Sequence, residues 1–130
     1  ARSARNAGRD QRPKWILLRR PSERSAGGCS SHVTFAAAAH GLGLPAAQKN
    51  AAELVGRRAE LGTDFAVAEE CDRFDECAAY TAGYGDHVIV IEYRRQDFAA
   101  GCAGFPGLSI VLRDLDLVTP EQPGYVFDGC

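Results

Sequence analysis

Short apolar runs, each closed by polar residues, recur along this chain at nearly equal spacing. Leu44 to Ala47 ends in Gln48-Lys49-Asn50, and Phe65-Ala66-Val67-Ala68 ends in Glu69-Glu70. Val88-Ile89-Val90-Ile91 ends in Glu92-Tyr93, and Leu108-Ser109-Ile110-Val111-Leu112 ends in Arg113-Asp114. From Asn50 to Glu69 to Glu92 to Arg113 the steps are 19, 23 and 21 residues. Continuous runs of this length suit strands buried on both faces. Helix-compatible segments separate them: Ala51–Leu61, with Asn50 as its cap, then Cys71–Ala82 and Gln96–Ala103. Before the first run, Phe35 to Ala39 reads as a helix capped by Thr34 and stopped by Gly41 and Gly43. Buried strands alternating with helices predict a parallel α/β sheet.

In such folds the C-terminal ends of the strands carry the active site. Four successive strands deliver Lys49-Asn50, Glu69, Glu92-Tyr93 and Arg113-Asp114 to one rim. Neighbouring parallel strands lie about 4.8 Å apart. Glu69 and Glu92 are therefore expected close enough to perturb each other's pKa. Paired carboxylates are the tools of glycoside hydrolysis, one protonating the leaving oxygen while the other attacks or activates water. Lys49, Asn50 and Tyr93 would supply the hydrogen bonds and stacking that a sugar ring needs. No glycine-rich loop opens a helix, which disfavours a phosphate site.

With 130 residues the chain can build one domain, and its 45% hydrophobic and 25% charged composition is ordinary for a globular protein. No apolar run approaches the roughly 18–20 residues of a membrane span, so no membrane partner is expected. Charge is distributed unevenly. Residues 1–33 carry a net charge of +6 and the remainder a net −8. The basic segment lacks a helical stripe and has Trp15 as its lone aromatic. We read it as a solvated, irregular arm rather than a nucleic-acid contact, with Lys14 to Leu18 as its one possible strand. The composition shifts at Ser30–Thr34, which gives an arm over 1–33 and a domain over 34–130.

Five cysteines, none in a CxxC pair, and three scattered histidines (His32, His40, His87) make a metal site unlikely on spacing alone. No cofactor is implied. Structural disulfides in an oxidising compartment fit the cysteine count better, with Cys29 as the odd thiol.

The stretch Asp64 to Cys71, followed by Phe74, Glu76 and Cys77, resembles the signature of glycoside hydrolase family 114. That family typically reads Ala-Val-Asn-Glu-Gln-Cys at this point, followed by a second Cys. Ala39 to Leu44 leading to Lys49-Asn50, Val88 to Tyr93, and Ile110 to Leu117 are similar to flanking family segments, in the same order. The resemblance implies the C-terminal half of a (β/α)8 barrel and a secreted, endo-acting enzyme on α-1,4-linked galactosamine polymers. It carries the catalytic acid/base onto Glu69, with Lys49, Asn50, Glu92 and Tyr93 as sugar contacts. A non-catalytic sugar-binding remnant of the same barrel is the alternative.

This sequence departs from the signature at Ala68 and Glu70, which stand where the family has Asn and Gln. Glu70 adds a like charge expected to raise the pKa of Glu69. The family's partner Asp, in a Gly-Val-Glu/Asp-Pro-Asp-Asn type motif, has no counterpart in residues 1–33. A whole barrel takes about 200–250 residues. The chain therefore reads either as an incomplete or mis-framed product of low activity, or as a half barrel completed by a second chain. Four strands would leave two open edges through which copies could associate. Cysteine pairing stays open: Cys71 and Cys77 are close in sequence, and Cys102 belongs to the neighbouring unit.

Overall fold

The computed structural model describes the backbone of Ile16–Leu18 and of residues 28 to 130, with side chains from Phe35 onward. The charged residues of the arm and the Cys29 side chain lie outside the described residues. Strands β1 (Ile16–Leu18), β2 (Ala46–Lys49), β3 (Phe65–Glu69), β4 (Val88–Glu92) and β5 (Ser109–Arg113) run parallel in sequence order. A sixth, β6 (Phe127–Gly129), returns antiparallel along β5. The four expected strands are present, shifted by up to two residues. Of the two further strands, β1 falls within Lys14 to Leu18, the arm's one candidate, and β6 has no counterpart among the expected elements.

Helix α1 (Gly28–Gly41) starts before the expected Thr34 cap and packs Ala36 and Ala39 on Ala46 of β2. The expected helix over 51–61 is instead a 3-10 turn, Ala52–Arg57, running into the short α2 (Arg58–Leu61). Asn50 does not cap it. Asn50 and Ala51 both adopt left-handed backbone, with φ of 54° and 60°, and Ala51 holds the cap position without a side-chain bond. Helices α3 (Cys77–Tyr84) and α4 (Arg95–Gly104) are shorter or shifted versions of the expected segments.

Strand residues alternate between faces, and here the two faces bury different partners. Ala66, Ala68, Val88, Val90, Ile110 and Leu112 pack against Val55, Tyr80, Tyr84 and Phe98 from the helical layer. Ala47, Phe65 and Val67, with Ile89 and Ile91, cluster on the opposite face. Among the described residues all the helical packing therefore falls on one side of a parallel sheet whose strands follow sequence order. That is the winding of a (β/α) barrel segment; a doubly wound sheet would carry helices on both faces and a reversal of strand order.

Two disulfides staple the layers. Cys71 joins Cys77 across the turn into α3, and Cys102 of α4 joins Cys130 beyond β6. The second tie holds β6 along the edge of β5. Of the two open edges anticipated, that of β5 is covered by β6 and that of β2 by β1, which makes β1 the edge strand on that side among the described residues.

Candidate active site

The strand ends are staggered. Lys49 is in register with Val67, and Glu69 with Ile91, so Glu69 lies two residues beyond Lys49 and Tyr93 two residues beyond Glu69. Lys49, Glu69 and Tyr93 share the helix-free face and follow one another diagonally, within reach of long side chains. The Glu69 carboxylate collects all three neighbours. Oε2 accepts from Lys49 Nζ and, at 2.9 Å, from Asn50 Nδ2. Oε1 accepts the Tyr93 hydroxyl at 2.7 Å. Asn50 closes a second link, its Oδ1 accepting the Glu69 backbone N–H at 2.8 Å.

Partial burial on its own would raise the Glu69 pKa. The bonds from Lys49, Asn50 and Tyr93, with the Lys49 charge, outweigh it and hold the carboxyl below its usual range. The expected upward push from Glu70 is not observed. Glu70 adopts left-handed backbone, φ 56°, and its charge is paired with Arg73. Burial first, then the bond to Glu69, keeps the Tyr93 phenol protonated and so a donor.

Glu92 departs most from expectation. It is fully buried, and its Oε1 accepts the Asp72 backbone N–H at 2.9 Å. Its Oε2 has no hydrogen-bond partner among the described residues. Burial, opposed by that one bond and reinforced by the charges of Asp97, Asp72 and Glu70, pushes it up to about 7. The cause of its position is parity. Glu69 lies level with Ile91, so Glu92, one residue on, points into the helical layer with Val88 and Val90. Glu69 and Glu92 thus lie on opposite faces of the sheet, and Glu92 is buried away from the face that holds Glu69, against the expected pairing.

An open cleft of about 590 Å³ lies over Glu69, lined by Asn50, Ala51, Ala52, Glu70, Phe74, Glu76, Tyr93 and Leu115. Lys49 is absent from its walls and serves Glu69 instead. Phe74 and Leu115 are well-exposed apolar surfaces on the wall. Sequence reasoning noted Phe74 within the signature without giving it a role, and gave none to Leu115 or Glu76. Arg113 and Asp114 do not join the cleft. Arg113 donates to the carbonyls of Val126 and Val118 at 3.1 and 3.3 Å. Asp114 accepts the Val118 and Val126 N–H groups at 2.8 and 3.3 Å, so both residues fasten the C-terminal loop.

Cys71, Cys77 and Glu92 bring potential ligand atoms within 4.8 Å of one another. The two sulfurs are bonded to each other, so neither is available as a thiolate ligand. No helix among the described residues is long and apolar enough to cross a membrane.

Comparison with known proteins agrees with this geometry. The crystal structure of Aspergillus fumigatus Ega3 in complex with galactosamine is similar in fold, with a TM-score of 0.63 at 22% sequence identity. The match covers 81% of this chain and 45% of that one, so this chain spans less than half of that relative. No curated protein matches. The sequence model of glycoside-hydrolase family GH114 matches residues 24–130. A barrel segment with the family's sequence pattern over most of its length, and Glu69 at its strand-end cleft, thus belongs to glycoside-hydrolase family GH114.

Proposed function

We propose that residues 34–130 are the C-terminal half of a secreted glycoside hydrolase barrel, with Glu69 as its acid/base and an amino-sugar polysaccharide as substrate. One observation carries the reading: three donors from the two strand ends that flank Glu69 converge on its carboxylate beneath an open cleft. In the free chain Glu69 rests as the anion, ready to accept a proton from water or a sugar hydroxyl. To act as the acid it must first be protonated, which the closing of a substrate over the cleft would favour by desolvation. Asn50 and Tyr93 double as sugar contacts, and Phe74 offers a stacking face.

The ionisable residues lining the cleft, Glu69, Glu70, Glu76 and Tyr93, include no cationic side chain. That charge suits a protonated amine on the sugar. The solved relative holds galactosamine, which supports the same class here. The two disulfides agree with an extracellular setting. The β1 edge would serve self-association.

The family's Asp motif has no counterpart in residues 1–33, so binding without turnover is the expected behaviour of the 130-residue chain. Calorimetric titration with galactosamine oligomers should give saturable binding and no product. Glu69→Gln, which removes the charge facing the amine, should weaken binding by roughly tenfold, the worth of one charge-assisted hydrogen bond. Unaltered affinity in Glu69→Gln, or equal affinity for neutral N-acetylated oligomers, would count against the reading.

A further inference from the structure

Behind Glu69, on the helical side of the sheet, lies a second polar assembly whose own side chains do not line the cleft. Gln48 is 4% exposed. Its Nε2 donates to the carbonyls of Asn50 at 2.9 Å and Ala51 at 2.7 Å. Its Oε1 accepts the Tyr84 hydroxyl at 2.7 Å. With that proton committed, the Thr63 hydroxyl, 2.6 Å away, is the donor to Tyr84. Burial pushes the Tyr84 phenol up, so it stays an O–H donor. The chain runs in one direction, Thr63 to Tyr84 to Gln48, and ends on two backbone carbonyls.

Those carbonyls belong to the two consecutive left-handed residues Asn50 and Ala51. Outside glycine such a conformation costs roughly 1–2 kcal/mol per residue and persists only when its surroundings over-determine it. The Gln48 carboxamide supplies that determination from below. By turning the Asn50 and Ala51 carbonyls toward the helical layer, it leaves the Asn50 side chain on the cleft side, where it grips Glu69 at both its carboxylate and its N–H. An extended residue at 50 would turn its side chain elsewhere.

We propose that Gln48 is a positioning residue for Glu69, acting through the left-handed Asn50–Ala51 turn and itself oriented by Tyr84 and Thr63. It touches no substrate. Its effect is to fix the donor set of the acid/base from the opposite face of the sheet.

The test is a double-mutant cycle on the Glu69 carboxyl, followed by carbon-13 NMR across pH in the 130-residue chain. Gln48→Met keeps the volume and removes both donors. Asn50→Gly keeps the left-handed backbone and removes the carboxamide. Each single variant should move the Glu69 titration upward, and Gln48→Met should add nothing once Asn50 is Gly. A folded Gln48→Met whose Glu69 titrates as in wild type overturns the proposal, as does a full additive shift in the double variant. Should Gln48→Met fail to fold, Tyr84→Phe leaves the Gln48 carboxamide in place and removes the hydroxyl that orients it and accepts Thr63. It should shift Glu69 in the same direction by less, and no shift overturns the proposal equally. Gln48→Met should also weaken galactosamine-oligomer binding by roughly fivefold, the worth of one misplaced hydrogen bond. That last arm rests on the proposed sugar cleft. If wild type binds no oligomer, the cleft reading falls while the titration still decides the role of Gln48.

Discussion

Between pH 4.5 and 8 the stability of Glu92→Gln relative to wild type should rise by about 3 kcal/mol. The number follows from linkage. Glu92 titrates at 4.5 when unperturbed and at about 7 in the folded chain, and each tenfold change in proton affinity is worth about 1.4 kcal/mol. In that window the native state holds a proton that the unfolded state has released, so wild-type stability falls as pH rises. Below pH 4.5 both states are protonated, and well above 7 both are ionised, so the effect levels off at each end. Gln carries no titrating proton and can still accept the Asp72 N–H through its carbonyl oxygen. Any constant penalty for burying its NH₂ group drops out of the pH-dependent difference. Urea unfolding of both proteins at several pH values measures it. A difference that stays constant with pH would show that Glu92 does not titrate as a buried acid. The Glu69 titration should be the same in both proteins, because the two carboxylates face opposite sides of the sheet.

The second large effect concerns the C-terminus. Replacing Cys102 and Cys130 together by Ala should cost about 3.5 kcal/mol, from the closure entropy of a loop spanning 28 residues. A domain of this size commonly has only about 5–15 kcal/mol in total. The shorter Cys71–Cys77 loop, with a separation of six, should contribute nearer 2 kcal/mol on the same scale. The larger loss also has a local signature. Strand β6 is exposed along its length, so little but its ladder and this bond holds it on β5. The Ile110 and Cys130 amides, which exchange bonds across that ladder, should lose hydrogen-exchange protection in the double variant before the β3–β4 core does. Equal urea midpoints for the double variant and wild type would contradict this assignment.

How far the sequence reveals this structure depends on what each residue's neighbours are. Strands β3 and β4 are legible because five consecutive residues are mostly apolar, as burial on both faces requires. The same property hides the direction of Glu92. Val88 to Ile91 show no alternation, so nothing in the run tells which face its last residue joins. That is decided by the stagger of β4 against β3, a tertiary fact. Asn50 misleads for a related reason. Its side chain suits a helix cap, but the carboxylate it meets across the strand outcompetes the local backbone. Strand β6 leaves no signal, since Phe127-Asp128-Gly129 is short, exposed and without period. It exists through its disulfide and the Asp114 bond to Val126. Gln48 stands in plain view beside Lys49 and Asn50, yet its role depends on Tyr84, 36 residues away. Glu69 is the residue for which strand-end position, signature resemblance and geometry coincide.

The most direct test of that centre is a carbon-13 titration of the Glu69 carboxyl, run with and without a galactosamine oligomer. The free chain should show Glu69 titrating below the ordinary glutamate value of 4.5, and saturating oligomer should move its resonance and its titration. A Glu69 that titrates at or above 4.5 and does not respond to the oligomer would contradict both the three-donor geometry and the sugar cleft built on it.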